Sequence, residues 1–173
     1  VDAFNGCSGL STINIPASVT EIRGNAFLNC TGLASVWCES ETPASIQTTS
    51  FANIPSDAVL YVPTIEAVAT YEASTWKTYF SEIKIGKKEE NGMCWGLIPY
   101  GTETDKYTLW ISGIKEMEDY KDANSVPWSK YADKVRRICA VMCSPTKTAK
   151  NALAAVSSVA QRTSAYTEVL QSH

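Results

Sequence analysis

The sequence predicts an α+β chain in two parts. A short repeat-built β-solenoid closed by a helix-strand cap occupies residues 1–86, and a small β-rich module follows over 93–141. Three observations predict this. The phrase Ala3-Phe4-x-x-Cys7-x-x-Leu10 returns as Ala26-Phe27-x-x-Cys30-x-x-Leu33, with every matched pair separated by the same interval. A short stretch with alternate apolar residues follows each copy. The repetition then stops at a charged, glycine-bounded segment. A fixed interval between about 20 and 50 residues marks a repeat architecture and outranks any local secondary-structure signal.

The elements follow in order. A looser third copy places Phe51 beyond Phe27 by that interval and one position more, with Ile54 where the cysteine stood. Ile13-Asn14-Ile15, Val36-Trp37-Cys38 and Leu60-Tyr61-Val62 each alternate about a central residue, the period-2 pattern of a strand with one face buried. Pro16 and Pro63 end two of these strands, because proline donates no hydrogen bond to a ladder. Val19 and Ile22 suggest a second short extended piece after the turn.

Each repeat alone exposes its apolar side, and stacking buries it. The stack places Phe4, Phe27 and Phe51 in one column and Cys7, Cys30 and Ile54 in another, with Leu10, Leu33, Ile13, Ile15, Val36, Leu60 and Val62 completing the expected core. A cysteine that recurs in register with apolar residues behaves as a small buried hydrophobe. Packing is therefore the preferred reading of Cys7 and Cys30 over a disulfide. Thr64 is placed to cap a helix in which Ile65, Val68, Ala69 and Tyr71 recur at helical spacing. Trp76 and Phe80 lead into the alternating Ser81-Glu82-Ile83-Lys84-Ile85, so 64–85 reads as a cap over the end of the stack.

The phrase Ala-Phe-x-x-Cys-x-x-Leu-x-x-Ile-x-Ile-Pro-x-Ser-Val-Thr-x-Ile over 3–22, repeated well over 26–38 and in part over 51–63, resembles the BspA-type leucine-rich repeat, met mainly in bacterial surface and secreted proteins. The resemblance implies an extracellular or cell-surface location and a non-enzymatic role in recognition or adhesion. It also implies contact through the strand face. On that face Asn14, Trp37, Tyr61 and Lys84 would form an outward ladder flanked by Thr12, Ser35, Val59 and Glu82. Tryptophan and tyrosine are enriched at binding hot spots, so an exposed Trp37 beside Tyr61 is the expected contact patch for a surface protein or glycan. The alternative is that these aromatics only shield the sheet and the chain is a structural spacer within a longer surface protein. The chain starts in mid-pattern at Val1 and is expected to be a piece of something longer. An uncovered strand edge would also permit edge-to-edge self-association.

Residues 87–92, inside "GKKEENG", read as a linker. Beyond it, "CWGLIPYGTETDKYTLWISG" over 94–113 gives two strands around a polar turn, with Tyr107, Leu109 and Ile111 on one face. A Pro127-Trp128 turn, a short helical stretch around Tyr131 and a strand near 135–141 follow. Leu109-x-Ile111-Ser112-Gly113, Met117-x-Asp119-Tyr120, Pro127-Trp128-x-x-Tyr131 and Val135-x-x-Ile138 resemble the β-rich lead-in to another such array, although Ile114-Lys115 stands where Thr-Gly is usual. The alanine- and serine-rich 142–173 is either helical, with Ala152, Val156, Val159, Ala160, Val169 and Leu170 on one face, or disordered.

Chemistry has few carriers here. The only histidine is His173, which leaves histidine-based dyads, triads and zinc sites without their residue. Acidic groups at Glu39 and Glu41, and at Glu116, Glu118 and Asp119, are the remaining candidates for acid–base work on a glycan. Their polar, turn-like setting favours plain solvated charge. Cys38, Cys94, Cys139 and Cys143 lack a metal-ligand spacing and read as free thiols. Asn29-Cys30-Thr31 fits a glycosylation sequon, but the repeat turn already explains Asn29. No cofactor or metal is expected. A net charge of −3 with interspersed signs argues against nucleic acid, and no apolar run approaches the ~18 residues of a membrane span.

Overall fold

Like residues stack over like. In the computed structural model, which describes residues 1–89, 92–113 and 124–142 (backbone alone for 140–142), four strands run parallel side by side: β1 (Thr12–Ile15), β3 (Ser35–Cys38), β5 (Val59–Val62) and β6 (Glu82–Lys88). Between β1 and β3 comes the short β2 (Glu21–Ile22), and between β3 and β5 the short β4 (Ser45–Ile46), which pair with each other in parallel. Register is strict: Ile13 lies opposite Val36, Val36 opposite Leu60, and Leu60 opposite Ile83. The chain divides into two compact units, with the boundary after Glu89.

In-register parallel pairing sets neighbouring repeats about 4.8 Å apart, a separation at which aromatic rings can stack. The phenylalanine column shows it: Phe4 and Phe27 lie 5.2 Å apart at 4°, and Phe27 and Phe51 4.9 Å apart at 5°. On the turn side the backbone makes its own inter-repeat ladder. Phe4 N–H donates to the Ala26 carbonyl at 2.8 Å and Phe27 N–H to that of Ser50 at 2.8 Å. The equivalent turn residues Gly6, Asn29 and Asn53 have φ of 75°, 60° and 61°. Glycine and asparagine are the residues that enter this left-handed region at low cost. The Asn53 amide also donates to Asn29 Oδ1 at 2.8 Å. At Gly32 a Cβ would come within 2.2 Å of the Ser8 carbonyl oxygen, so the repeats approach too closely there for any side chain.

The spacing between equivalent positions is not constant. It is one residue longer from β2 to β4, where Glu21 lies opposite Ser45, than from β1 to β3, where Ile15 lies opposite Cys38. The extra residue is taken up in the connection 39–44. Neither β4 nor the pairing it makes is among the sequence expectations, whereas the extended piece near Ile22 is present as β2.

The helix α1 (Ile65–Glu72) starts where expected, with Thr64 Oγ1 accepting from Ala67 N–H at 3.1 Å. Its buried residues are Ala67 and Tyr71, with Val68 partly buried, whereas Ala69 is exposed; the packed stripe runs one step round the helix from the expected one. Trp76 and Phe80, both buried, close over Phe51 at 5.2 and 5.4 Å. Trp76 Nε1 donates to the Ala44 carbonyl at 2.8 Å. The phenylalanine column therefore ends against the cap.

At the other end it does not. Phe4 is 38% exposed and Cys7 is exposed, while Leu10 and Ile13 are half-buried, because among the described residues the first repeat has a neighbour on one side only. Ile54 is half-buried as well and packs against the core. Phe4 and Cys7 depart from the expected core, whereas Leu10, Ile13 and Ile54 pack against it while partly exposed. Ile15, Phe27, Cys30, Leu33, Val36, Phe51, Leu60 and Val62 are buried. Strand β6 runs through Lys88, so two residues expected in the linker belong to a strand.

In the second unit β7 (Cys94–Pro99) pairs antiparallel with β8 (Tyr107–Gly113), and β8 pairs parallel with β9 (Val135–Met142) with a register shift at Tyr107/Thr108. Trp95, Leu97, Leu109, Ile111, Trp128 and Val135 are buried, and Trp95 meets Trp128 edge to face at 6.1 Å. A single 3₁₀ turn spans Ser129–Tyr131. The expectations placed on Glu116, Met117, Glu118, Asp119 and Tyr120, and on Cys143 and the alanine-rich tail, fall outside the described residues.

Phe27→Ala should lower the unfolding free energy of the first unit by about 3–5 kcal/mol, the cost of an aromatic cavity in a core. Phe4→Ala should cost clearly less in the same urea titration, since Phe4 is already partly in water. Gly32→Ala should destabilise by about 1–3 kcal/mol through forced backbone displacement, and Thr64→Ala by about 1 kcal/mol through loss of the cap.

Candidate binding face

Alternation along β1, β3, β5 and β6 sends Ile15, Val36, Cys38, Leu60, Val62, Ile83 and Ile85 inward and leaves Asn14, Trp37, Tyr61 and Lys84 on the other side. Register brings these four together: Asn14 is opposite Trp37, Trp37 opposite Tyr61, and Tyr61 opposite Lys84. The flanking row Thr12, Ser35, Val59 and Glu82 is likewise aligned.

The row is not uniformly open. Trp37 is only 7% exposed, which corrects the expectation of an exposed indole. Two planar side chains opposite each other on in-register parallel strands meet face to face. The Trp37 and Tyr61 rings accordingly stack at 3.9 Å and 11°. Trp37 Nε1 donates to Ser35 Oγ at 3.3 Å, and Ser35 Oγ donates to Thr12 Oγ1 at 3.0 Å, tying the indole to the flanking row. Tyr61 is half-buried.

The ends of the row are polar. Asn14 is exposed, and its amide donates to Glu39 Oε1 at 2.7 Å. Lys84, half-buried, forms an ion pair with Glu82. Sequence alone offers Glu39 only as half of an acidic pair. Its position two residues beyond Trp37 puts it on the same side by strand periodicity, and that is the signal that locates it. What results is a strip with a hydrogen-bonding amide and carboxylate at one end, an aromatic pair in the middle and a compensated lysine at the other end.

Groups with chemical potential lie elsewhere or are subdued. Cys38 points into the core, where burial pushes its thiol up to about 12 despite a hydrogen bond with Tyr71. A thiol in that state is a poor nucleophile. Tyr71 is raised by the same burial and then by Cys38, and its hydroxyl donates to the Ser40 carbonyl at 3.2 Å. Glu39 and Glu41 are both exposed. Among the described residues no group of three or more His, Cys, Asp and Glu side chains is placed to hold a metal ion, and no helix is long and apolar enough to cross a membrane.

Comparison with known proteins gives one match. The family model described as the BspA type leucine-rich repeat region (6 copies) matches residues 1–88. No curated protein and no solved structure matches the chain. That match covers all four strands of the face, both short strands and the helix. Through residues 1–88 the chain belongs to the BspA-type leucine-rich repeat family.

Proposed function

We propose that the first unit is a leucine-rich-repeat solenoid acting as a non-enzymatic recognition module at a cell surface or in secretion, and that it contacts a protein or glycan through the strand face. The observation that carries this reading is the register that aligns Asn14, Trp37, Tyr61 and Lys84 across four strands. A family typically found at surfaces supports the location. The strip suits recognition because aromatic area is flanked by polar groups that fix orientation.

The burial of Trp37 favours a second reading, a spacer in which the aromatic pair serves only the sheet. The two readings differ in what the polar end does. In a spacer, Asn14 and Glu39 stabilise each other at the surface, and such exposed pairs contribute little. In a recognition module they meet the ligand.

The test screens the whole chain against glycan arrays and surface-protein panels, then measures hits with Asn14→Ala, Glu39→Ala and Tyr61→Ala. Loss of about 1–2 kcal/mol of affinity, roughly 5- to 30-fold, at one or more of these positions with unchanged melting is the expected result. Affinities indifferent to all three substitutions would leave the spacer.

A further inference from the structure

We propose that Cys7 and Cys30 form a disulfide that fastens the first repeat to the second when the protein meets an oxidising environment. The two residues hold the same place in consecutive repeats, and the third repeat has Ile54 there, so the pair occurs once. Their backbones are held close by hydrogen bonds just before the two cysteines. Phe4 N–H donates to the Ala26 carbonyl and Gly6 N–H to the Leu28 carbonyl, each at 2.8 Å. Adjacent in-register chains lie about 4.8 Å apart, inside the roughly 4.4–6.8 Å Cα separation that a disulfide spans.

The sulfur of Cys30 already sits against the first repeat. Its thiol donates to the Phe4 carbonyl oxygen at 3.1 Å, and the same oxygen accepts the backbone N–H of Cys7 at 3.1 Å. Both groups thus converge on one carbonyl oxygen of the first repeat. Among the described residues Cys7 is exposed and Cys30 buried, so the Cys7 side chain has room to change rotamer and is the one reached from solvent.

The oxidant is a small-molecule disulfide. The Cys7 thiolate attacks one of its sulfurs, forming a mixed disulfide and releasing one thiolate. Cys30 is held beside its target, so that proximity offsets the low thiolate fraction burial imposes. It attacks the Cys7 sulfur, forming the Cys7–Cys30 bond while its proton passes to the departing small-molecule sulfur, which leaves as a thiol. Two protein thiols are oxidised by two electrons, and one small disulfide is reduced to two thiols. The buried partner needs no access to solvent, because the sulfur it attacks belongs to its neighbour. The bond closes a loop that spans one whole repeat.

The experiment incubates the intact chain with oxidised glutathione and reads intact mass, then nonreducing peptide maps with fragment sequencing. The expected product has lost two hydrogens per molecule and shows Cys7 linked to Cys30. Amide exchange over 3–11 slows in it, and it returns to the starting state with a reductant. Cys7→Ser should abolish that linkage, and so should Cys30→Ala. The second is checked for folding by its circular dichroism, and the first serves alone if it fails. A Cys7 left unreacted, a stable glutathione adduct on Cys7 with no intramolecular bond, or Cys7 linked to Cys38, Cys94, Cys139, Cys143 or a second molecule, would overturn the proposal.

Discussion

In-register parallel pairing is the constraint on which the first unit depends. Once Ile13, Val36, Leu60 and Ile83 are opposite one another, every other position in the repeat is placed over its own equivalent. Phenylalanine then meets phenylalanine, a left-handed turn meets a left-handed turn, and the outward residues of the strands fall into a row. The spacing of hydrogen-bonded chains and the stacking distance of flat rings nearly coincide, so backbone and side chains favour one arrangement without compromise. A slip of one residue would turn each inward side chain to the solvent side. The buried Ser50 belongs to the same arrangement: its hydroxyl accepts from Gln47 N–H and donates to the Ile22 carbonyl, both at 2.9 Å, joining two repeats through a polar group that has no unmet demand.

The helix and the strand after it close one end of the described stack. There the column of rings is closed by a change of geometry, from parallel rings to the edge-on approach of Phe80 at 70° and the tilted Trp76 at 49°. Parallel stacking invites another ring of the same kind; an edge does not. Tyr71, Trp76 and Tyr79 each reach back to a backbone carbonyl of the 40–48 segment, so the cap satisfies polar groups as well as covering apolar ones. Among the described residues Phe4 stacks on Phe27 and is partly in water.

Much of this is legible in the sequence because repetition carries its own register. The interval between Phe4 and Phe27 fixes which residues are neighbours, and alternation fixes which way they point. Proline at 16 and 63 marks strand ends that the structure shows at Ile15 and Val62. The misses have physical causes. A column read from sequence has no ends, so Phe4 and Cys7 look as buried as their equivalents. The indole of Trp37 looks open because alternation assigns a side without saying how far the opposite ring covers it. Ala67 and Ala69 flank the stripe of Ile65, Val68 and Tyr71 on opposite sides, about 200° apart, and an alanine gives too little apolar signal to decide which flank is packed. β4 is hidden because Ser45 gives its two residues little apolar signal. Glu39 escapes for a different reason, since a neighbouring acid draws attention to acid–base chemistry rather than to its place beside a strand.

The one-residue lengthening between successive repeats has an evolutionary consequence. Because the added residue is absorbed in 39–44, β4 and β5 resume the register that β2 and β3 set. That connection holds one residue more than its equivalent without disturbing the stacked interior. It begins at Glu39, which borders the outward row. Length changes in this short connection could reshape the rim of the surface while the stacked phenylalanines stay where they are, so diversity at the rim and constancy within are separable under selection.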